Sequence, residues 1–232
     1  MGCDIHLYTE RKIKVRLPDE QEKTVWMNSD NWFIDEWSYS YSDHPRMCVK
    51  DVYYGRNYDL FTVLAGVRNY RDWDWFVEPK GIPDDISEDV KNIIDRYGGD
   101  GHTHSYLTLR EILDIDWERR VEMHDYVTKD VADHWNTHHE MPDEWMTAMW
   151  AHPLTGMVEL YYDEPLKNSC QDFLDSVVPY LKNIIDEKYV RHEWVYEKDE
   201  NGNKIKPFRK PSKGYEPENF YDDVRIVFFF DN

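Results

Sequence analysis

Apolar and polar positions alternate near the start of the chain. Ile5, Leu7, Ile13 and Val15 share one parity, which predicts a strand over residues 4–17. Pro18-Asp19-Glu20-Gln21 supplies a turn, and Thr24-Val25-Trp26-Met27 returns as the second strand of a hairpin. Residues 28–56 follow neither the strand nor the helix period and read as irregular, aromatic-rich chain. The period then lengthens. Asn57-Tyr58-Asp59 opens a helix carrying Leu60, Phe61, Val63, Leu64 and Val67 and ending near Asn69. Ser87 is placed to cap a second helix with Val90, Ile93, Ile94 and Tyr97 on one face, stopped by Gly98-Gly99. Thr108-x-x-Glu111 is a capping box for a short helix from Leu109 to Leu113.

Further on, Val127, Val131 and Trp135 step by four and predict a helix between 120 and 150. Ser169-x-x-Asp172 begins a long helix whose Phe173, Val177, Leu181 and Ile184 form one stripe, with Pro179 expected to kink or break it. The tail returns to strands at His192 to Glu197 and Val224 to Phe230, separated by a turn at Asn201-Gly202. The last run is nearly continuously apolar and reads as a central strand buried on both faces. Strands at both ends and helices between them predict an α+β fold, with residues 1–232 as a single domain. Its sheet, mixed or antiparallel, would be built from the terminal strands and covered by the central helices. Residues 198–218, rich in Lys, Pro, Gly and Asn, read as a flexible loop.

Composition narrows the function classes. The formal net charge of -19, from 47 acidic against 28 basic residues, repels phosphate backbones and argues against general nucleic-acid binding. It suits an anion-rich surface able to meet a basic partner or to capture a metal, and it is compatible with a homo-oligomer. Three widely spaced cysteines, Cys3, Cys48 and Cys170, with no Cys-x-x-Cys pair, indicate neither a disulfide framework nor a thiolate zinc site. No apolar run approaches a membrane span and none follows the first residues as in a signal peptide. The expected compartment is therefore the cytoplasm.

Candidate chemistry centres on two short motifs. Asp4 and His6 alternate on a strand and so point the same way, as do His102 and His104 if that stretch is extended. Carboxylate and neutral imidazole are ligands for borderline divalent ions, so Asp4, His6, His102 and His104 are the candidate catalytic and metal-binding set, with Zn²⁺ or Mn²⁺ as the ion. Glycines before His102 would release a loop, and the helix start at Thr108 would offer free backbone amides to an anion. Arg68, Ser105 and Thr108 are the matching substrate-binding candidates, with Asp59 or Asp100 behind the imidazoles. His134-x-x-x-His138-His139 has helical chelate spacing, but Trp135 stands where a zincin has its glutamate. Cys3 is a candidate nucleophile only if an imidazole activates it.

Several segments carry a resemblance: Met-Gly-Cys-Asp-Ile-His at the start, Asn57 to Phe61, Ala65 to Asn69, Gly81 to Asp85, His102 to Leu109, and Phe229-Phe230-Asp231-Asn232. In these the chain resembles a family of uncharacterised proteins carried by bacteriophages and bacteria. The resemblance implies a phage or prophage origin and action in the host cytosol, and brings no activity with it. Small phage proteins of this kind often counter host defence by degrading or sequestering a nucleotide signal. Motifs and resemblance together lead to the expectation of a metal-assisted hydrolase acting on a phosphate-bearing small molecule such as a nucleotide signal. The alternatives are a non-catalytic protein that binds a nucleotide or other small ligand, and an acidic inhibitor of a host protein.

Overall fold

The computed structural model describes residues 2–18, 21–35, 46–145, 147–149, 154–189, 192–211 and 215–232. The fold is α+β. Strands β1 (Asp4–Arg16) and β2 (Glu22–Asn28) form the expected antiparallel hairpin; its turn lies partly outside the described residues. Within the stretch read as irregular, β3 (Trp32–Asp35) and β4 (Arg46–Val49) pair as a second hairpin. Four-residue strands are too short to declare a period, which is why the pattern missed them.

Helix α1 (Tyr58–Ala65) starts where Asn57 accepts a hydrogen bond from the Leu60 amide and stops at Gly66, whose φ of 65° is left-handed. Helix α2 (Glu88–Tyr97) follows Ser87, whose hydroxyl does not cap it; the Ser87 amide instead donates to the Glu10 carboxylate at 2.8 Å. Residues expected to form a glycine-released loop are strand β5 (His102–Thr108), followed by α3 (Leu109–Asp114), whose capping box forms as expected. Between 120 and 150 the step-by-four pattern straddles two elements, β6 (Arg120–Thr128) and α4 (Lys129–His138). Strands β7 (Thr147–Met149) and β8 (Met157–Pro165) flank β6 in a separate three-stranded antiparallel sheet. After the short α5 (Leu166–Ser169), α6 (Gln171–Tyr189) runs through Pro179 without a break. The stretch expected to be flexible contains β10 (Lys204–Pro211), which pairs with β9 (His192–Lys198), and the start of a 3-10 helix over Pro217–Asp223.

Strand β11 (Val224–Asp231) is central in the main sheet, order β2-β1-β11-β5 with antiparallel neighbours throughout, and every residue from Val224 to Phe230 is buried. The two ends of the chain thus pair directly. One face of this sheet presents Ile5, Leu7, Phe228 and Phe230 to α1, to the α6 stripe of Phe173, Val177, Leu181 and Ile184, and to the second sheet. The other presents Tyr8, Val227 and Phe229 to Val90, Ile93 and Ile94 of α2. On that α2 face Arg225, 3% exposed, pairs at 2.7 Å with the fully buried Glu10 and at 2.8 Å with Asp85, its guanidinium lying 3.9 Å from the Trp26 ring. Each charge removed from water is matched, and the network fixes the segment leading into α2.

Candidate ligand-binding site

The α2 face holds the imidazoles. On one flank of β11 the register with β1 is unbroken from Asp4↔Asp231 to Arg11↔Val224, which places His6 opposite Phe229. The rings stack with centroids 4.9 Å apart. On the other flank Ser105 faces Phe228 but His102 faces Phe230, so three residues of β5 span two of β11. The surplus residue is absorbed in a bulge at Thr103, whose φ is 51°. His104 consequently stacks on Phe229 at 5.3 Å, while His102 lies against Phe230 at 6.2 Å on the opposite face.

This corrects the expectation that His102 and His104 share a face: two residues apart in sequence, they behave across the bulge like neighbours. His6 and His104 share the α2 face with the Phe229 ring between them. Asp4 is drawn away, its carboxylate held by Arg56 through Nε and Nη2, each at 2.7 Å. The four residues do not converge, and among the described residues no group of three or more His, Cys, Asp or Glu side chains is placed to hold a metal ion.

The expected substrate-binding residues have structural work instead. Arg68 donates to the Asn232 side chain at 2.8 Å and to the Gly2 carbonyl at 3.3 Å. Ser105 is fully buried and accepts the Lys80 amide at 3.1 Å. The Thr108 amide is taken by Glu111 at 2.9 Å, and the Thr108 hydroxyl accepts the Glu111 amide at 3.2 Å, so the capping box occupies two of the amides expected to meet an anion. Asp59 is bound to Arg71 at 3.0 Å. Cys3 is 1% exposed, and burial pushes its thiol up against the opposing pull of Arg68, which suits packing rather than nucleophilic attack. His134 and His138 do meet on α4, ring centroids 4.5 Å apart.

What surrounds His6 was not foreseen. Its Nδ1 lies 3.2 Å from the Tyr97 hydroxyl, within hydrogen-bond reach. Its Nε2 lies 3.2 Å from Asp231 Oδ2 but is not aligned for a hydrogen bond, so that contact is electrostatic. Tyr97 also closes one side of a cavity of about 300 Å³ lined by Tyr8, Trp32, Cys48, Asp51 and Arg96, with Val49 and Ile93 behind. Trp32 is 38% exposed at this cavity, and Arg96 has no ion-pair partner among the described residues. Burial pushes the Asp51 carboxyl up, while nearby His6 draws it back. Burial likewise raises the Tyr8 hydroxyl, keeping it a neutral donor. The β1 parity that put His6 and Tyr8 on one face was legible; Tyr97, assigned to the apolar side of its helix, and Trp32, in a stretch without a period, carried no such signal.

Comparison with known proteins found no matching family model, no similar curated protein and no similar solved structure. Among the described residues no helix is long and apolar enough to cross a membrane.

Proposed function

We propose that the protein binds a small planar molecule carrying an anionic group, of the nucleotide kind, in the cavity between β1, α2 and the β3–β4 hairpin. The observation that carries this reading is the wall itself. Tyr8, Trp32 and Tyr97 bring three aromatic rings around about 300 Å³, and Arg96 adds a cation with no carboxylate partner among the described residues, in a chain of net charge -19. Small-ligand pockets are mostly apolar with a few placed polar groups and start at roughly this size. Stacking a base on an aromatic side chain is worth about 1–3 kcal/mol, and Arg96 would hold the phosphate. Sequestration of a nucleotide signal in a host cytosol is the role this chemistry and the phage resemblance support together.

Titration of tryptophan fluorescence with adenosine monophosphate tests it. Saturable quenching is expected, lost in Trp32→Ala. Arg96→Ala should weaken the monophosphate by about ten-fold or more while changing adenosine much less, since a charge-assisted hydrogen bond contributes that much. No saturable response to either compound, or an equal loss for both in Arg96→Ala, refutes the reading.

A second reading, hydrolysis of the same ligand, is favoured by the Asp231–His6–Tyr97 chain: Tyr97, which lines the cavity, would take a proton from water as it gives its own to His6 Nδ1, with Asp231 steadying the imidazolium. Phosphorus NMR of the bound nucleotide, with and without added Zn²⁺ or Mn²⁺, separates the two. Release of phosphate that is lost in His6→Gln establishes turnover, and an unchanged spectrum leaves sequestration.

A further inference from the structure

The opposite face of β1 borders a second cavity, of about 330 Å³, whose wall is polar where the first is aromatic. Arg11 enters from β1, Asp30 and Asn31 from the turn after β2, and Tyr180, Asn183 and Glu187 from α6. The α6 residues, with Ile184, fall at i, i+3, i+4 and i+7, so they form one continuous strip that meets the helix's apolar stripe at Ile184.

Part of this wall is braced from within. Asp30 Oδ1 accepts the Thr9 hydroxyl at 2.6 Å and the Thr9 amide at 3.1 Å, and Oδ2 accepts the Asn28 amide group at 2.7 Å. The Tyr180 hydroxyl donates to the Ser29 carbonyl at 2.9 Å. The rest is unspent. Arg11 Nε is buried without a hydrogen-bond partner, and no carboxylate pairs with that guanidinium among the described residues. The side-chain amides of Asn31 and Asn183 make no hydrogen bond among the described residues either, and the Glu187 carboxylate accepts none. A buried donor left unpaired costs stability, and a half-used polar cavity is where a ligand repays it.

We infer that this cavity is a binding site for a small hydroxylated oxyanion, such as a phosphate ester of a polyol. Arg11 and the two free amides present donors to the oxyanion, while Glu187 accepts from hydroxyl groups that a bare anion lacks. The site stands apart from the aromatic cavity, and one contact joins them: the Trp32 indole N–H donates to Asn28 Oδ1 at 2.9 Å.

Calorimetric titration of the full chain with inorganic phosphate, glycerol and glycerol 3-phosphate tests the inference. Glycerol 3-phosphate should bind about ten-fold tighter than inorganic phosphate, and glycerol alone should give no binding heat. Arg11→Gln should weaken glycerol 3-phosphate by about ten-fold or more, whereas Arg96→Ala, which disables the nucleotide cavity, should leave it unchanged. Should Arg11→Gln fail to fold, Glu187→Gln serves in its place: removing a negative charge from a solvent-facing helix position should tighten inorganic phosphate several-fold. Failure of both phosphate compounds to bind at millimolar concentration overturns the inference. So does undiminished binding in folded Arg11→Gln, or no tightening of phosphate in Glu187→Gln. Loss in Arg96→Ala would place the phosphate in the aromatic cavity and overturn it equally. Because the nucleotide reading is tested with Trp32→Ala and Arg96→Ala, its failure and this one are distinguishable.

Discussion

Strand β11 is flanked by two partners that differ in one respect. β1 meets it in eight consecutive pairs, whereas β5 meets it across a bulge at Thr103. On the regular flank, sequence parity survives into space: His6, Tyr8 and Glu10 all reach the α2 face. On the bulged flank parity breaks, and His102 and His104 part company. The site follows from this difference. A regular β5 with all its residues in register would have set His102 and His104 on one face and left one of them out of reach of the Phe229–Phe230 pair as it now stands. The bulge delivers one imidazole to each face, and leaves Phe229 with a ring on both sides.

The largest expected effects come from removing the rings that report these two faces. Phe230→Ala should cost about 4 kcal/mol, since Phe230 is fully buried against Phe61 and the thick α1 face. Phe229→Ala should cost less, about 3 kcal/mol, because its side of the sheet is thinner and borders the cavity, where neighbours can close in. Denaturant unfolding of both variants measures this; a larger loss for Phe229→Ala would mean that the α2 face, not the α1 face, dominates stability.

The next effect concerns the regular flank, where β1 is braced at Thr9 by Asp30. Burial pushes the Asp30 carboxyl up to about 6 from its ordinary 3.8, even though Thr9 and Asn28 donate to it. Between those two values the folded protein binds a proton that the unfolded chain does not. Stability from this group is therefore greatest below about 3.8, falls as pH rises to about 6, and stays lower above that. With Asp30 at 8% exposure and a shift near two units, the fall is on the order of 3 kcal/mol. Unfolding free energies of the native protein minus those of Asp30→Asn, measured from pH 4 to pH 7, should decline across that window. A flat or rising difference would show that the brace is an ionised carboxylate at ease in its site.

Helices whose signals lie within one segment were legible: the Asn57 cap of α1, the Thr108-x-x-Glu111 box of α3 and the stripe of α6 all stand where the pattern put them. So was the pairing of the terminal strands, because alternation at the start and an unbroken apolar run at the end each specify a strand. The second sheet was not. Val127 is the last buried residue of β6 and Val131 begins the buried side of α4, and their spacing of four mimics a helix across a strand-to-helix junction. Half of the site was legible for the same reason as β1: parity placed His6 correctly. The partition of His102 from His104 was not, since the left-handed residue is Thr103, and a β-branched residue gives no warning of positive φ. Asp231 and Tyr97 reach His6 through tertiary structure alone.

A smaller effect tests how the bulged flank sets the charge of its imidazole. His104 sits below its ordinary 6.5, first because it is desolvated and then because His102 lies nearby. A depressed histidine adds stability that is present above about 6.5 and lost as pH falls below it, since the unfolded chain binds the proton first. Replacing His102 with Gln removes the second cause and leaves the first. Proton NMR titration of the His104 ring should then show its midpoint moving up while staying below that of a free histidine. An unmoved midpoint would mean that the bulge insulates the two rings from each other.

The smallest expected effect is the most direct test of the comparison. Deleting Thr103 removes the surplus residue, so that His102, His104 and Ser105 can face Phe230, Phe229 and Phe228 in unbroken register, as β1 already does on the other flank. Adjacent residues of a regular strand point to opposite faces, so the deletion keeps each imidazole on its present side. Two contributions nearly cancel. The deletion relieves a left-handed β-branched residue, a strain of about 1–2 kcal/mol, and removes the Thr103 hydroxyl that meets His102 Nδ1 at 2.9 Å, a contact worth about 1 kcal/mol. The thermal midpoint should therefore move by only a few degrees. Nuclear Overhauser contacts of His104 with Phe229 and of His102 with Phe230 should persist. A deletion that instead sends His104 to the Phe230 ring, or unfolds the chain, would show that the strand depends on its bulge for more than register.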